Sequence, residues 1–141
     1  MPAVSILLPC YNAAFTIDEA LASLASQRLQ DFEIIAVDDG SQDETPDLLR
    51  AWQAREPRLH LLRQEHGGIV AALNAGLAAC TGPLVARMDA DDRCHPQRLS
   101  RQAEALQSHP EVDVLGCQVA SFPENLPNEG LQRYLAWQNA L

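Results

Sequence analysis

Apolar positions along this chain alternate between short continuous runs and longer stretches in which they recur every three or four residues. The run "AVSILLP" (3–9) predicts a first strand, "FEIIAVDD" (32–39) a second, "RLHLLRQ" (58–64) a shorter third and "LVARMD" (84–89) a fourth. "VDVLGCQV" (112–119) predicts one strand more. Between them the spacing is helical. Ile17, Leu21 and Leu24 share one face, behind a capping box of Thr16 and Glu19. Leu48, Leu49 and Trp52 share another, behind Thr45 as cap and Pro46 at the first helical position. The alanine-rich stretch 67–80 and the segment 96–109 predict two further helices, and "LQRYLAWQNAL" at the end of the chain a last one. Strands alternating with helices imply an α/β protein with a mostly parallel sheet and helices on both faces.

Length and charge narrow the picture. At 141 residues the chain fits a single domain. The net charge of -9 repels phosphate backbones and anionic lipid, so nucleic acid and membrane surfaces are poor partners. No apolar run reaches the roughly 20 residues of a membrane span, and the N-terminus lacks the basic segment of a signal peptide. Cys10, Cys80, Cys94 and Cys117 form no C-x-x-C pair and are read as reduced thiols of a cytoplasmic protein.

The polar residues at strand ends carry the chemistry. Ligands of open parallel sheets sit beyond the carboxyl ends of the strands, and three clusters fall there: 9–12, 38–41 and 89–92. In "DADD", the carboxylates repel one another, a conflict that Mg²⁺ or Mn²⁺ would relieve. In an extended segment Asp89 and Asp91 project to the same side; the plain alternative is an acidic turn with Asp92 capping the next helix. Asp38 and Asp39 precede Gly40 and Ser41, a pattern that places a carboxylate against a base N–H or simply forms an Asx turn. Gly67-Gly68 belongs to neither a Walker A loop nor a dinucleotide fingerprint, and reads as a close approach of backbone to ligand or sheet. Asn74 is either part of that surface or a helix-packing group. Arg87 neutralises a phosphate, or forms an ordinary ion pair with Asp89 or Asp38.

Taken together, "VSILLPCYNA", "FEIIAVDDGSQDET", "GGIVAALNAGLAACTGPLVARMDADD" and "HPQRLSRQAEALQSHPEVDVLGC" resemble, in order and spacing, the donor-binding half of the family 2 glycosyltransferases with the Rossmann-like GT-A fold. The resemblance implies that Pro9, Cys10, Tyr11 and Asn12 line a nucleotide pocket with Tyr11 stacked near the base. Asp38 would hydrogen-bond the base, uracil in the best-known members, and Asp39 would support that loop. Asp89 would meet the ribose or the metal, and Asp91 would bind the Mn²⁺ or Mg²⁺ that bridges the diphosphate. Such enzymes invert configuration, transferring sugar from a nucleotide-sugar donor to a saccharide, lipid-linked or other hydroxyl acceptor, often in cell-envelope polysaccharide synthesis.

In that family the general base and a later Q-x-x-R-W-type motif lie in an acceptor-binding half. Here the resemblance runs from about Ala3 to the C-terminus and the acceptor-binding half is missing after about residue 130, so the expectation is a truncated sheet, part of a longer protein peripheral to the inner face of a membrane, with self-association through uncovered apolar surface. Glu111 and Asp113 fall within the donor half and are not promoted to catalytic base. The competing readings are a non-catalytic nucleotide-sugar binding module and a nucleotidyltransferase.

Overall fold

The computed structural model describes residues 1–122 and 129–140. Its four strands, β1 (Val4–Cys10), β2 (Phe32–Asp39), β3 (Leu59–Gln64) and β4 (Leu84–Arg87), form an all-parallel sheet in the order β3-β2-β1-β4. All positions of β1 and β2 are buried, as expected of central strands covered on both faces, whereas the edge strands β3 and β4 are mostly half-buried or exposed. Helices α1 (Ile17–Ala25), α2 (Thr45–Arg55), α3 (Ile69–Ala79), α4 (Arg98–Ser108) and α5 (Glu129–Gln138) complete the described fold.

The expectation of helices on both faces holds. Val4, Ile6 and Leu8 of β1 pack with Ile17, Leu21 and Leu24 of α1, Leu49 and Trp52 of α2, and Leu99 of α4 in one core. Leu7, Ile35 and Val37 face the other way, onto Ala72 of α3. The alternation of side chains along β1 and β2 sorts the two cores. On the α3 side the helix lies close: a Cβ on Gly76 would overlap Leu7 Cδ1 and come within 2.8 Å of Val37 Cγ2. Gly76→Ala is therefore expected to lower the urea midpoint with an unchanged slope. Overpacking of about 1–3 kcal/mol outweighs the roughly 1 kcal/mol that alanine gains in helix propensity. A midpoint at or above that of the parent would sink this account of the packing.

Three local expectations are corrected. Thr16 does not cap α1 with its side chain; its hydroxyl donates to the Ala13 carbonyl at 3.3 Å, while Glu19 pairs with Arg93. α2 starts at Thr45 rather than after it, and the carboxylate that accepts the Thr45 N–H, at 3.0 Å, belongs to Asp43. Asp92 does not cap α4, which begins at Arg98 behind Gln97.

The strand expected over 112–119 is absent. At three of its residues side chains bond the backbone instead: Gln102 Nε2 donates to the Leu115 and Gly116 carbonyls at 3.2 and 3.3 Å, and Asn139 bonds both the N–H and the carbonyl of Val119 at 2.8 and 2.7 Å. An alternating apolar pattern makes a strand only where a neighbouring strand offers its own backbone row. The helix expected near the C-terminus is present as α5, and all four cysteines are free. Among the described residues no helix is long and apolar enough to cross a membrane.

Candidate active site

Chain order and sheet order diverge at β1. The chain steps outward from β1 to β2 to β3, then crosses back to place β4 on the other side of β1. The loops leaving the carboxyl ends of β1 and β4 therefore diverge, and a crevice opens between them. In this protein it is a cleft of about 420 Å³. One wall is Pro9, Tyr11 and Asn12, the other Asp89, Ala90 and Asp91, with Phe15 and Ile69 as an apolar lip.

The β1 wall is held by side chains of the loop after β2. Asn12 has φ 49°, the left-handed conformation that asparagine tolerates better than most residues. Its N–H donates to Ser41 Oγ at 3.0 Å and its Oδ1 accepts the Gln42 N–H at 2.9 Å. The next two N–H groups, of Ala13 and Ala14, donate to Thr45 Oγ1 at 2.8 Å and Asp43 Oδ2 at 3.1 Å. Four consecutive bonds of this kind make the two loops one unit. Ser41 and Thr45 were legible in sequence only as a turn and a cap residue, Asp43 carried no such signal, and their partner loop was not legible.

The β4 wall is a turn. β4 ends at Arg87, and the Asp92 N–H donates to the Asp89 carbonyl at 3.1 Å. It is this turn, not an extended segment, that presents Asp89 and Asp91 to the same cleft. Ala90, between them, is buried. Of the alternatives for Arg87 the ion pair is realised, its guanidinium meeting Asp89 Oδ1 at 2.8 Å. Burial, followed by the charges of Asp91 and Asp89, pushes the Asp92 carboxyl above its ordinary value.

Among the described residues no group of three or more His, Cys, Asp or Glu side chains converges to enclose a cation. The donor set nevertheless fits a magnesium-like ion, which uses one or two protein carboxylates and completes its shell with water and ligand phosphates. Asp89 and Asp91 are the residues that would hold it.

Asp38 and Asp39 take different environments. Asp38 is fully buried; its Oδ1 accepts the Ser41 N–H at 3.0 Å. Its Oδ2 has no hydrogen-bond partner, although the Arg63 Nε lies 3.3 Å away in an ion pair. Asp39 is also buried but fully engaged. Oδ1 accepts from Gln64 Nε2 at 2.6 Å and from the Gly67 N–H at 2.9 Å, and Oδ2 from the Gly68 N–H at 2.8 Å. Burial pushes the Asp39 carboxyl up, but these bonds together with the nearby His66 hold it below the ordinary carboxylate range. Asp39 thereby fastens the loop between β3 and α3. The fit is tight, since a Cβ on Gly40 would stand 2.7 Å from the His66 N.

Of the residues singled out in sequence, Pro9, Tyr11, Asn12, Asp89 and Asp91 meet at the cleft, with Arg87 bonded to its edge through Asp89. Cys10 points into the larger core, its thiol pushed up to about 12 by burial and then by the charge of Asp38. Asp38 and Asp39 stand behind the β1 wall rather than on it. Two residues that the sequence did not single out belong to the arrangement. Arg63 stands over Asp38, and the His66 ring stacks on Tyr11 with centroids 4.1 Å apart and planes 19° from parallel. The one signal for His66 was its place immediately before Gly67-Gly68.

A parallel α/β sheet with a cleft at its switch point belongs to the α/β class in which ligands sit beyond the strand ends, and the fold alone does not name the ligand. Comparison makes it specific: the chain matches glycosyl transferase family 2 over residues 5–140 and belongs to that family. It is 37% identical over 124 residues to the amylovoran biosynthesis glycosyltransferase AmsE of Erwinia amylovora, covering 86% of this chain and 47% of the relative. Similarity to the uncharacterized glycosyltransferase EpsJ of Bacillus subtilis is 36% over 120 residues, 83% of this chain and 34% of that protein. In structure it is similar to S. aureus TarS 1-349 in complex with UDP, with a TM-score of 0.77, 28% identity, and coverage of 89% of this chain and 38% of that one. It is also similar to a mannosyltransferase from Pyrobaculum calidifontis in complex with GDP-Man and Mn²⁺, with a TM-score of 0.69, 31% identity, and coverage of 85% and 36%. The chain therefore spans less than half the length of each of these proteins.

Proposed function

We propose that this chain forms the donor-binding part of an inverting, metal-dependent glycosyltransferase that takes its sugar from a UDP-linked donor. The observation that carries the reading is the cleft at the β1–β4 switch point, with Tyr11 and Asn12 facing Asp89 and Asp91. An aromatic face on one wall suits a base, and carboxylates on the other suit a cation-bridged diphosphate. Similarity to proteins solved with UDP and with GDP-Man and Mn²⁺ supports the same assignment.

In this reading Tyr11 stacks on the base; for Asp38 to accept a base N–H with its Oδ2, which lacks a hydrogen bond but is ion-paired with Arg63, both the Arg63 side chain and the β1 wall in front of it must move. Asp39 keeps the neighbouring loop in place, while Asp89 and Asp91 hold the cation, and Arg87 orients Asp89. A divalent cation at this point supplies positive charge against the departing diphosphate. An acceptor hydroxyl forms the new bond to the anomeric carbon as the bond to the phosphate oxygen breaks, and its proton passes to a base. Glu111 and Asp113 are not assigned that role, since neither lines the cleft and Asp113 borders a separate groove beside β4.

Calorimetric titration with UDP and GDP, each with and without Mn²⁺, tests the assignment. The expected result is UDP binding that requires the metal and exceeds that of GDP. Equal affinity with and without Mn²⁺ would remove the metal from the proposal, and preference for GDP would change the nucleotide.

A further inference from the structure

The contact between Tyr11 and His66 joins two loops that the chain separates by two helices and two strands, α1, β2, α2 and β3. Tyr11 follows β1 and lines the cleft; His66 follows β3. Their rings lie nearly parallel at 4.1 Å, and Tyr11 is still 46% exposed, so one ring face is covered and the remainder is open to the cleft. The imidazole is itself fixed: its Nδ1 lies 2.9 Å from Asp39 Oδ2 and 3.1 Å from the Asp39 carbonyl. Asp39, in turn, is buried and bound to the N–H groups of Gly67 and Gly68. The result is a continuous chain of contacts from a buried carboxylate to a cleft-lining aromatic.

We propose that His66 is a positioning residue, which sets the plane of Tyr11 for stacking on a nucleobase. The inference rests on the nucleotide reading above and adds a residue to it. A tyrosine beyond a strand end, with half its surface in solvent, has free rotation about χ1 to lose when a base docks on it. Clamping one face against a ring that is anchored elsewhere removes that freedom before the ligand arrives, which is how preorganisation raises affinity. The effect is confined to the base. The diphosphate and cation are held on the opposite wall, by Asp89 and Asp91, and owe nothing to His66.

This confinement makes the role separable from a structural one. UDP and inorganic pyrophosphate, each with Mn²⁺, would be titrated into the parent protein, His66→Ala and His66→Phe, with thermal melts confirming that each variant is folded. His66→Ala is expected to weaken UDP by about fivefold, within the range of a lost aromatic pair, and to leave pyrophosphate unchanged. His66→Phe restores a ring beneath Tyr11 without the bond to Asp39, and is expected to recover only part of the UDP affinity, the rest being the share of the anchor; full recovery would remove Asp39 from the proposal. Unchanged UDP affinity in His66→Ala overturns the proposal, and so does an equal loss for both ligands, which would mark a collapsed loop. If the parent itself binds UDP no better than pyrophosphate, base recognition in this cleft fails altogether, an outcome read from the parent protein and distinct from the variants.

Discussion

Replacing Asp91 with alanine is expected to weaken Mn²⁺-dependent UDP binding by at least about tenfold while leaving the fold as stable as before. Second-sphere partners of metal ligands already cost about 10- to 100-fold when removed, and a direct ligand should cost no less. The stability half of the expectation comes from the position of Asp91. It is exposed and makes no hydrogen bond or ion pair with the described residues. Removing it also takes away one of the negative charges that push up the Asp92 carboxyl. Unfolding free energies from urea melts should therefore agree to within about 0.5 kcal/mol, the usual range for surface substitutions. Asp89→Ala differs, because it frees the Arg87 guanidinium now held at 2.8 Å. An Asp91→Ala protein that binds UDP and Mn²⁺ like its parent would remove Asp91 from the cation site, and with it the simplest reason for three aspartates in four residues.

Much of this arrangement could be read from the chain. Central strands buried on both faces produce continuous apolar runs, and the runs at 3–9 and 32–39 became β1 and β2 with every position buried. Strand ends were equally legible, because a change from apolar to Asp, Gly and Ser has to coincide with the sheet's rim. Side-chain direction was harder. Residues 9 to 12 were expected to line one pocket together, but neighbours along a strand point to opposite faces, so Cys10 joined the core while Pro9 and Tyr11 reached the cleft. Partners across loops were illegible for a different reason. Nothing local to Thr45 or Asp43 reveals that they accept the N–H groups of Ala13 and Ala14, and nothing local to His66 reveals Tyr11. These pairs exist only because the parallel sheet brings successive strand ends to one rim. The segment 112–119 failed for the converse reason: its pattern was strand-like, but its backbone bonds went to Gln102 and Asn139.

Asp39→Ala is expected to destabilise the protein by about 2–4 kcal/mol, more than any other single change at the site. The substitution removes the acceptor of the Gly67 and Gly68 N–H groups and of Gln64 Nε2, all part-buried, where each lost bond costs about 1 kcal/mol and a donor left without water up to about 3 kcal/mol. Water can reach part of this loop, which keeps the total below the sum. The same carboxylate also adds a pH dependence. Because its folded-state value is depressed, the unfolded chain binds the proton more readily, and its contribution is complete above the ordinary aspartate value of about 3.9. That contribution disappears as pH falls through the folded-state value. Urea melts at neutral pH and at successively lower pH should show the parent losing stability below about pH 4 and Asp39→Ala losing less over the same range. If both lose stability in parallel, the acid sensitivity lies in other depressed carboxylates such as Glu33 and Asp43, and Asp39 fastens its loop through geometry without its charge. If Asp39→Ala is as stable as the parent even at neutral pH, the loop carrying His66 does not depend on the carboxylate, and the clamp on Tyr11 loses its anchor.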